Sequence, residues 1–151
     1  MAESLVHATC VAVPEDRGQG TGILLLGPSG AGKSDLALRL IDQGAQLVAD
    51  DQTCLSLQGE KLWAEAPASL AGRIEVRGLG ILKMPYVEKI ELSACFNLVE
   101  ATKIERLPEL ETRSFLGISL PSLDLFPFEA SASLKLRLAV REMSGFIMDQ
   151  D

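Results

Sequence analysis

Eight consecutive residues, Gly27-Pro28-Ser29-Gly30-Ala31-Gly32-Lys33-Ser34, fit the phosphate-binding pattern G-x-x-x-x-G-K-[ST] at every fixed position. Glycines in such a loop let backbone N–H groups turn inward around a phosphate, where side chains would block its approach. A helix opening directly after the loop adds partial positive charge at the same point. Lys33 is placed to reach β- and γ-phosphates, and the Ser34 hydroxyl to ligate magnesium. One helix further on stand two adjacent carboxylates, Asp50 and Asp51. One carboxylate at such a place holds magnesium directly or through water; a second could take the proton from an attacking hydroxyl, a role worth roughly 10²–10⁴-fold in rate. The pair also fits two solvated carboxylates opening a turn. The stretch "RIEVRGLG" adds Glu75 and Arg77, two apart and so on one side of a strand. An acid beside a base suits a site holding magnesium and phosphate together, and equally a surface ion-pair ladder.

These groups need elements to hold them in one place. "TGILLLG" is short and continuously apolar, as expected for a strand covered on both faces. Ser34 to Gln43 carries Leu36, Ala37, Leu40 and Ile41 on one helical face, and Gly44 stops it. "AQLVADD" predicts a second buried strand ending in the carboxylates, whose turn into a loop can bring both toward one cleft. "SLVHATCVAV" reads as one strand containing His7, followed by a turn through Pro14, Gly18 and Gly20. "TCLSLQGEKLWAEA" predicts a hairpin turning at Gln58-Gly59-Glu60. "GRIEVRGLGILKM" predicts a strand opening into a Gly-punctuated loop, and "IELSACFNLVEA" another strand. The charged "TKIERLPELETR" reads as an exposed connection, followed by a Pro-limited extended piece and a helix from about Ala132 to Met143. No repeat or linker interrupts the chain, so residues 1–151 are expected to form one α/β domain.

Composition narrows the classes. Hydrophobic residues make up 47% of the chain and charged residues 23%, which fits a globular core and not a disordered segment. A net charge of -7 with dispersed acids argues against a nucleic-acid surface. A single histidine excludes a multi-histidine metal site. The three cysteines, Cys10, Cys54 and Cys95, have no metal or disulfide spacing and read as small core residues in a reducing compartment. No apolar run approaches the roughly 18 residues of a membrane helix, and "MAESLVH" does not resemble a signal peptide, so a cytoplasmic location is expected.

"GPSGAGKSDLALRLIDQGAQLVADD" followed by "IEVRGLGI" resembles the catalytic domain of the bacterial HPr kinase/phosphorylase family, clearly over about residues 5–85 and more weakly to about 143. The resemblance implies a P-loop fold related to phosphoenolpyruvate carboxykinase, with a mixed sheet flanked by helices. It implies an ATP- and magnesium-dependent protein serine kinase acting on the phosphocarrier HPr of the phosphotransferase system. The reverse reaction, in which inorganic phosphate attacks phosphoserine-HPr and pyrophosphate leaves, is implied as well. By position, Lys33 and Ser34 would bind the β-phosphate and magnesium, and Asp51 would be the catalytic carboxylate with Asp50 beside it. Glu75 would be a magnesium or water ligand, Arg77 a phosphate contact, and Ser29 a help to inorganic phosphate. His7 matches a family histidine near the catalytic aspartate, and Arg106 could match a later family arginine. Family members assemble as hexamers, so a homo-oligomer is implied too. Two departures stand out. The chain resembles the short form of some proteobacteria, without a separate N-terminal domain, and "LDLFPFEASAS" replaces the Gly- and Arg-containing loop before the last helix. Two other readings keep the P-loop. One is a small-molecule kinase, although Arg106, Arg113, Arg137 and Arg141 are too scattered for its arginine-rich lid. The other is a nucleotide-sensing regulator that transfers no phosphate.

Overall fold

A computed structural model describes residues 3–14 and 20–143. Along the chain run β1 (Glu3–Val6), β2 (Ala8–Val13), β3 (Thr21–Leu26), α1 (Lys33–Asp42), β4 (Gln46–Ala49), β5 (Thr53–Gln58) and β6 (Lys61–Glu65). They are followed by β7 (Arg73–Val76), β8 (Gly80–Lys83), β9 (Ile90–Leu98), β10 (Glu111–Phe115), β11 (Ile118–Leu125) and α2 (Ala132–Met143).

The apolar run of β3 sits where its composition requires. It has β2 antiparallel on one side and β9 parallel on the other. All six of its residues are buried. Ile23 and Leu25 face the helices, joining Leu36 and Leu40 of α1 and Leu136 and Val140 of α2. Leu24 and Leu26 face the other way, into a second core with Leu55, Leu62 and Ala64 of the β5–β6 hairpin. The sheet order β1-β5-β6-β9-β3-β2-β4 would leave that hairpin distant from β2 if the sheet were flat. Instead the Thr53 hydroxyl at the start of β5 donates to the Ala8 carbonyl in β2 at 2.9 Å, so the sheet curls and covers its own second face. β9 has nine residues and serves two neighbours along one edge: β6 antiparallel at its start, β11 parallel from Cys95 to Leu98. β10 pairs antiparallel with β11. The architecture is therefore α/β with a curled, mixed sheet, as the resemblance implies, but both helices lie on one face.

Four details differ from the sequence reading. His7 bends the chain, so "SLVHATCVAV" is two strands: β1 pairs with β5, whereas β2 pairs with β3 and β4. The Gly-punctuated loop is instead the return of a hairpin, in which Gly78 and Gly80 (φ 92° and 117°) close a turn between β7 and β8. Because β7 ends at Val76, Arg77 lies in that turn, and strand alternation does not put it on the side of Glu75. The connection from Thr102 to Arg113 is exposed as predicted, yet its last residues begin β10. The α1, β5–β6 and α2 segments match their predicted positions to within a residue or two, and β9 starts at Ile90 as predicted but ends at Leu98, three residues early. Of the turn predicted at Pro14–Gly20, residues 15–19 lie outside the described residues.

Outside the main sheet edge, the backbone at Tyr86 forms a parallel bridge to Leu47, and the Val87 N–H donates to the Leu47 carbonyl at 2.8 Å. Cys10 and Cys95 are buried and Cys54 is half-buried, all three as free thiols. Burial raises the pKa of each, so none is a poised thiolate.

Candidate active site

β3 and β9 run parallel, so their carboxyl ends open on one crevice, the usual ligand position in such sheets. The P-loop leaves β3 at Gly27 and enters α1 at Lys33. Gly32 takes φ 98° as the residue before the helix, a left-handed conformation that costs a side-chain-bearing residue about 1–2 kcal/mol. A Cβ there would also stand 3.0 Å from the Phe128 ring and 3.3 Å from Pro127. A Cβ on Gly27 would stand 2.8 Å from that of Ala31. The cradle is thus drawn tight at both of its ends, while Ser29 and Gly30 form its exposed tip.

Lys33 is 5% exposed and curls back over the loop, donating to the carbonyls of Gly27 (2.6 Å) and Pro28 (3.0 Å). Burial lowers its pKa, and the carboxylates of Asp51 and Asp50 oppose that shift. A buried cation on a phosphate loop suits an anionic ligand, whose charge would offset the cost of desolvating the ammonium.

The two aspartates separate in role. Asp50 is buried at the end of β4 and accepts three hydrogen bonds: Ser34 Oγ (2.6 Å) and Thr9 Oγ1 (3.1 Å) on Oδ1, and the Glu75 N–H (3.0 Å) on Oδ2. One carboxylate therefore joins α1, β2, β4 and β7. Asp51 has φ 67°, in the left-handed region where Asp and Asn are the most tolerated side chains after glycine. That turn sends its side chain, more than half exposed, away from Asp50 toward His7, whose Nε2 donates to Oδ1 at 2.7 Å. The break at His7 is what frees the ring to meet Asp51 from outside the strand. The Asp51 N–H donates to Thr9 Oγ1 at 3.0 Å.

Thr9 thus both donates to Asp50 and accepts from Asp51, and nothing in the sequence marks it. It reads as one more β-branched strand residue until the β2–β4 register brings it beside the carboxylates. Thr9→Val keeps the volume and removes the relay. It is expected to cost about 1–2 kcal/mol of stability and to slow any reaction at Asp51, whereas Thr9→Ser retains both hydrogen bonds. Thermal unfolding together with a turnover assay checks this; native values for Thr9→Val would reduce Thr9 to core filling.

Glu75 and Arg77 are exposed, and neither side chain forms an ion pair among the described residues. The Glu75 backbone, through its bond to Asp50, ties the β7–β8 hairpin to the site. Arg106 lies in the exposed connection. Arg113 donates to Asn97 Oδ1 at 3.0 Å, and Asn97 Nδ2 donates to Asp124 (3.0 Å) and Ser122 (2.9 Å). Arg137 and Arg141 lie on α2. These arginines form no common lid.

The donor set fits magnesium, which takes one or two protein oxygens and completes its shell with phosphate and water. Ser34 and Asp50 supply such a pair. No group of three or more His, Cys, Asp or Glu placed to hold a metal ion occurs among the described residues. No helix among the described residues is long and apolar enough to cross a membrane.

Comparison with known proteins gives a consistent answer. The family described as HPr Serine kinase C-terminal domain matches residues 1–134. The HPr kinase/phosphorylase of Caldanaerobacter subterraneus subsp. tengcongensis is 38% identical over 137 residues, covering 83% of this chain and 45% of that protein. The Bordetella pertussis protein of the same name is 40% identical over 113 residues, 67% of this chain and 37% of its own length. The one from Malacoplasma penetrans is 35% identical over 114 residues, 68% of this chain and 38% of its own. The chain thus spans less than half the length of these relatives. Among solved structures, the Hpr(Ser) kinase/phosphatase from Coxiella burnetii superposes with a TM-score of 0.82 at 28% identity, covering 95% of this chain and 98% of that one.

Proposed function

Because the chain belongs to the family of HPr serine kinase C-terminal domains, we propose that it forms one catalytic unit transferring the γ-phosphoryl group of ATP to a serine of an HPr-like phosphocarrier protein. The same site would let inorganic phosphate recover that group as pyrophosphate. The observation that carries this reading is the hydrogen-bonded chain Ser34–Asp50–Thr9–Asp51–His7. It ties the phosphate loop to a buried carboxylate on one side and to an exposed, histidine-held carboxylate on the other.

The P-loop amides and Lys33 bind the β- and γ-phosphates and hold them in line with the acceptor. Ser34 and Asp50 would hold magnesium, which neutralises charge on the phosphate oxygens. Asp51 accepts the serine proton as the serine oxygen forms its bond to the γ-phosphorus. The bond to the β–γ bridging oxygen breaks, and ADP leaves. In the reverse direction an oxygen of inorganic phosphate attacks phosphoserine, and Asp51 returns the proton to the departing serine oxygen. His7 fixes the Asp51 carboxylate toward solvent, where a partner protein can reach it. Glu75 would be a magnesium or water ligand and Arg77 a phosphate contact, and neither side chain has an ion pair of its own among the described residues. Ser29 at the loop tip offers a hydroxyl to the second phosphate. Self-assembly and a cytoplasmic setting belong to the same reading.

The test is a transfer assay with the purified chain, ATP, magnesium and HPr from the same organism, read by intact mass. One phosphoryl group gained on a serine of HPr, then lost with pyrophosphate release on adding phosphate, is the expected result. ATP binding without any transfer would overturn the kinase reading in favour of a nucleotide sensor.

A further inference from the structure

The loop between β11 and α2 holds an aromatic ring in an unusual setting. Phe128 is 60% exposed, yet two of its ring carbons lie 3.0 Å from where a Cβ on Gly32 would be. It therefore rests against the P-loop at the residue just before Lys33. The loop beneath it is fixed on both sides. Arg39 of α1 donates through Nη2 to the Pro127 carbonyl at 2.5 Å and through Nη1 to the Glu129 carbonyl at 3.5 Å. Arg39 is itself aligned by Asp35, one turn earlier on α1, at 3.1 Å. Pro127 is buried, and Phe126 meets Phe128 edge-to-face with centroids 6.0 Å apart and planes at 75°. An exposed phenyl group normally gains by turning inward. This one is held outward by a rigid base.

The position matters because of the chain direction. β3, β9 and β11 are parallel, so the β11–α2 loop and the P-loop leave the same edge of the sheet. A nucleotide whose terminal phosphates occupy the cradle must extend its sugar and base out past the start of α1. That is the flank on which Arg39 holds residues 127–129.

We propose that Phe128 is the stacking platform for the base of the bound nucleotide and contributes to its selection. The inference rests on the nucleotide reading of the P-loop and adds to it the part of the ligand beyond the phosphates. A single ring face reads π-surface area and not a hydrogen-bonding edge. Purine triphosphates, ATP and GTP alike, should therefore bind more tightly than CTP, and CTP more tightly than inorganic tripolyphosphate.

The experiment is calorimetry on the full chain with magnesium and either ATP or tripolyphosphate, for the native protein and for Phe128→Ala and Phe128→Trp. Phe128→Ala is expected to weaken ATP about tenfold, as one lost stacking contact does, and to leave tripolyphosphate within about twofold. Phe128→Trp should restore ATP binding or improve it. Unchanged ATP affinity in Phe128→Ala, with native binding intact, overturns the platform while leaving the P-loop reading untouched. An equal loss for both ligands also overturns it, since the ring would then only shape the loop. Native protein that binds neither ligand would overturn the nucleotide reading itself, and the platform with it.

Discussion

Asp51→Asn is expected to slow phosphoryl transfer by about 10²–10⁴-fold while leaving ATP affinity within about threefold of native. The substitution is informative because it changes little else. Asn tolerates the left-handed backbone at φ 67° about as well as Asp does, so no strain is introduced. Its amide oxygen still accepts from His7 Nε2, and its N–H still donates to Thr9. What it loses is the lone pair basic enough to receive the serine proton. Asp51→Ala would confound the result, since alanine at positive φ adds backbone strain and abandons His7. A single-turnover assay on HPr with saturating ATP separates the cases. Transfer within threefold of native in Asp51→Asn would remove Asp51 from the role of base.

Asp50 should respond in the opposite manner, through stability first. Asp50→Ala strips partners from Ser34, Thr9 and the Glu75 N–H at a buried point, and is expected to cost on the order of 3 kcal/mol. For a chain of this size that is a fall of roughly 6–12 °C in Tm. Asp50→Asn should recover most of the loss. With its amide turned so that the oxygen accepts from Glu75, its NH₂ can donate to both hydroxyls, each of which can rotate to accept. The fold is then served, but the charge beside Ser34 and Lys33 is gone. If Asp50 also holds magnesium, Asp50→Asn will melt near the native temperature yet transfer at least about a hundredfold more slowly. Melting and transfer both near native would confine Asp50 to its structural role.

The contrast between the two aspartates shows where the sequence can and cannot be read. The P-loop is legible because its chemistry is local: eight residues in fixed order, preceded by an apolar strand and followed by a helix. Adjacent carboxylates after a strand are legible for the same reason. Their division of labour is not, because it depends on a positive φ at Asp51 and on Thr9, more than forty residues earlier in the chain. His7 looks like a strand residue because the residues on both sides are strand formers, and only the separate pairings of β1 and β2 reveal the break. Arg77 escapes the alternation of its neighbours because the strand ends one residue before it. Phe128 belongs to no motif, and only the fold sets its ring against Gly32. The mixed, curled sheet could be anticipated only through the family resemblance, since strand order is set by long-range pairing such as that of Gly22 with Leu92.

The curl also governs how this sheet meets other chains. An open strand edge offers unpaired N–H and C=O groups on which a foreign strand can add and grow toward an aggregate. β9 offers no such edge, because β3 takes one side and β6 and β11 divide the other. β4, which ends the order, is only four residues long and is shielded at Leu47 by the backbone of Tyr86 and Val87. At the opposite end β1 is equally short, and β10 carries Glu111 and Arg113, charges that resist a stacked neighbour. β3 and β9, whose carboxyl ends open on the crevice, are thereby sealed against strand addition, and within the main sheet a misfolded copy would find purchase only where it is shortest or most charged.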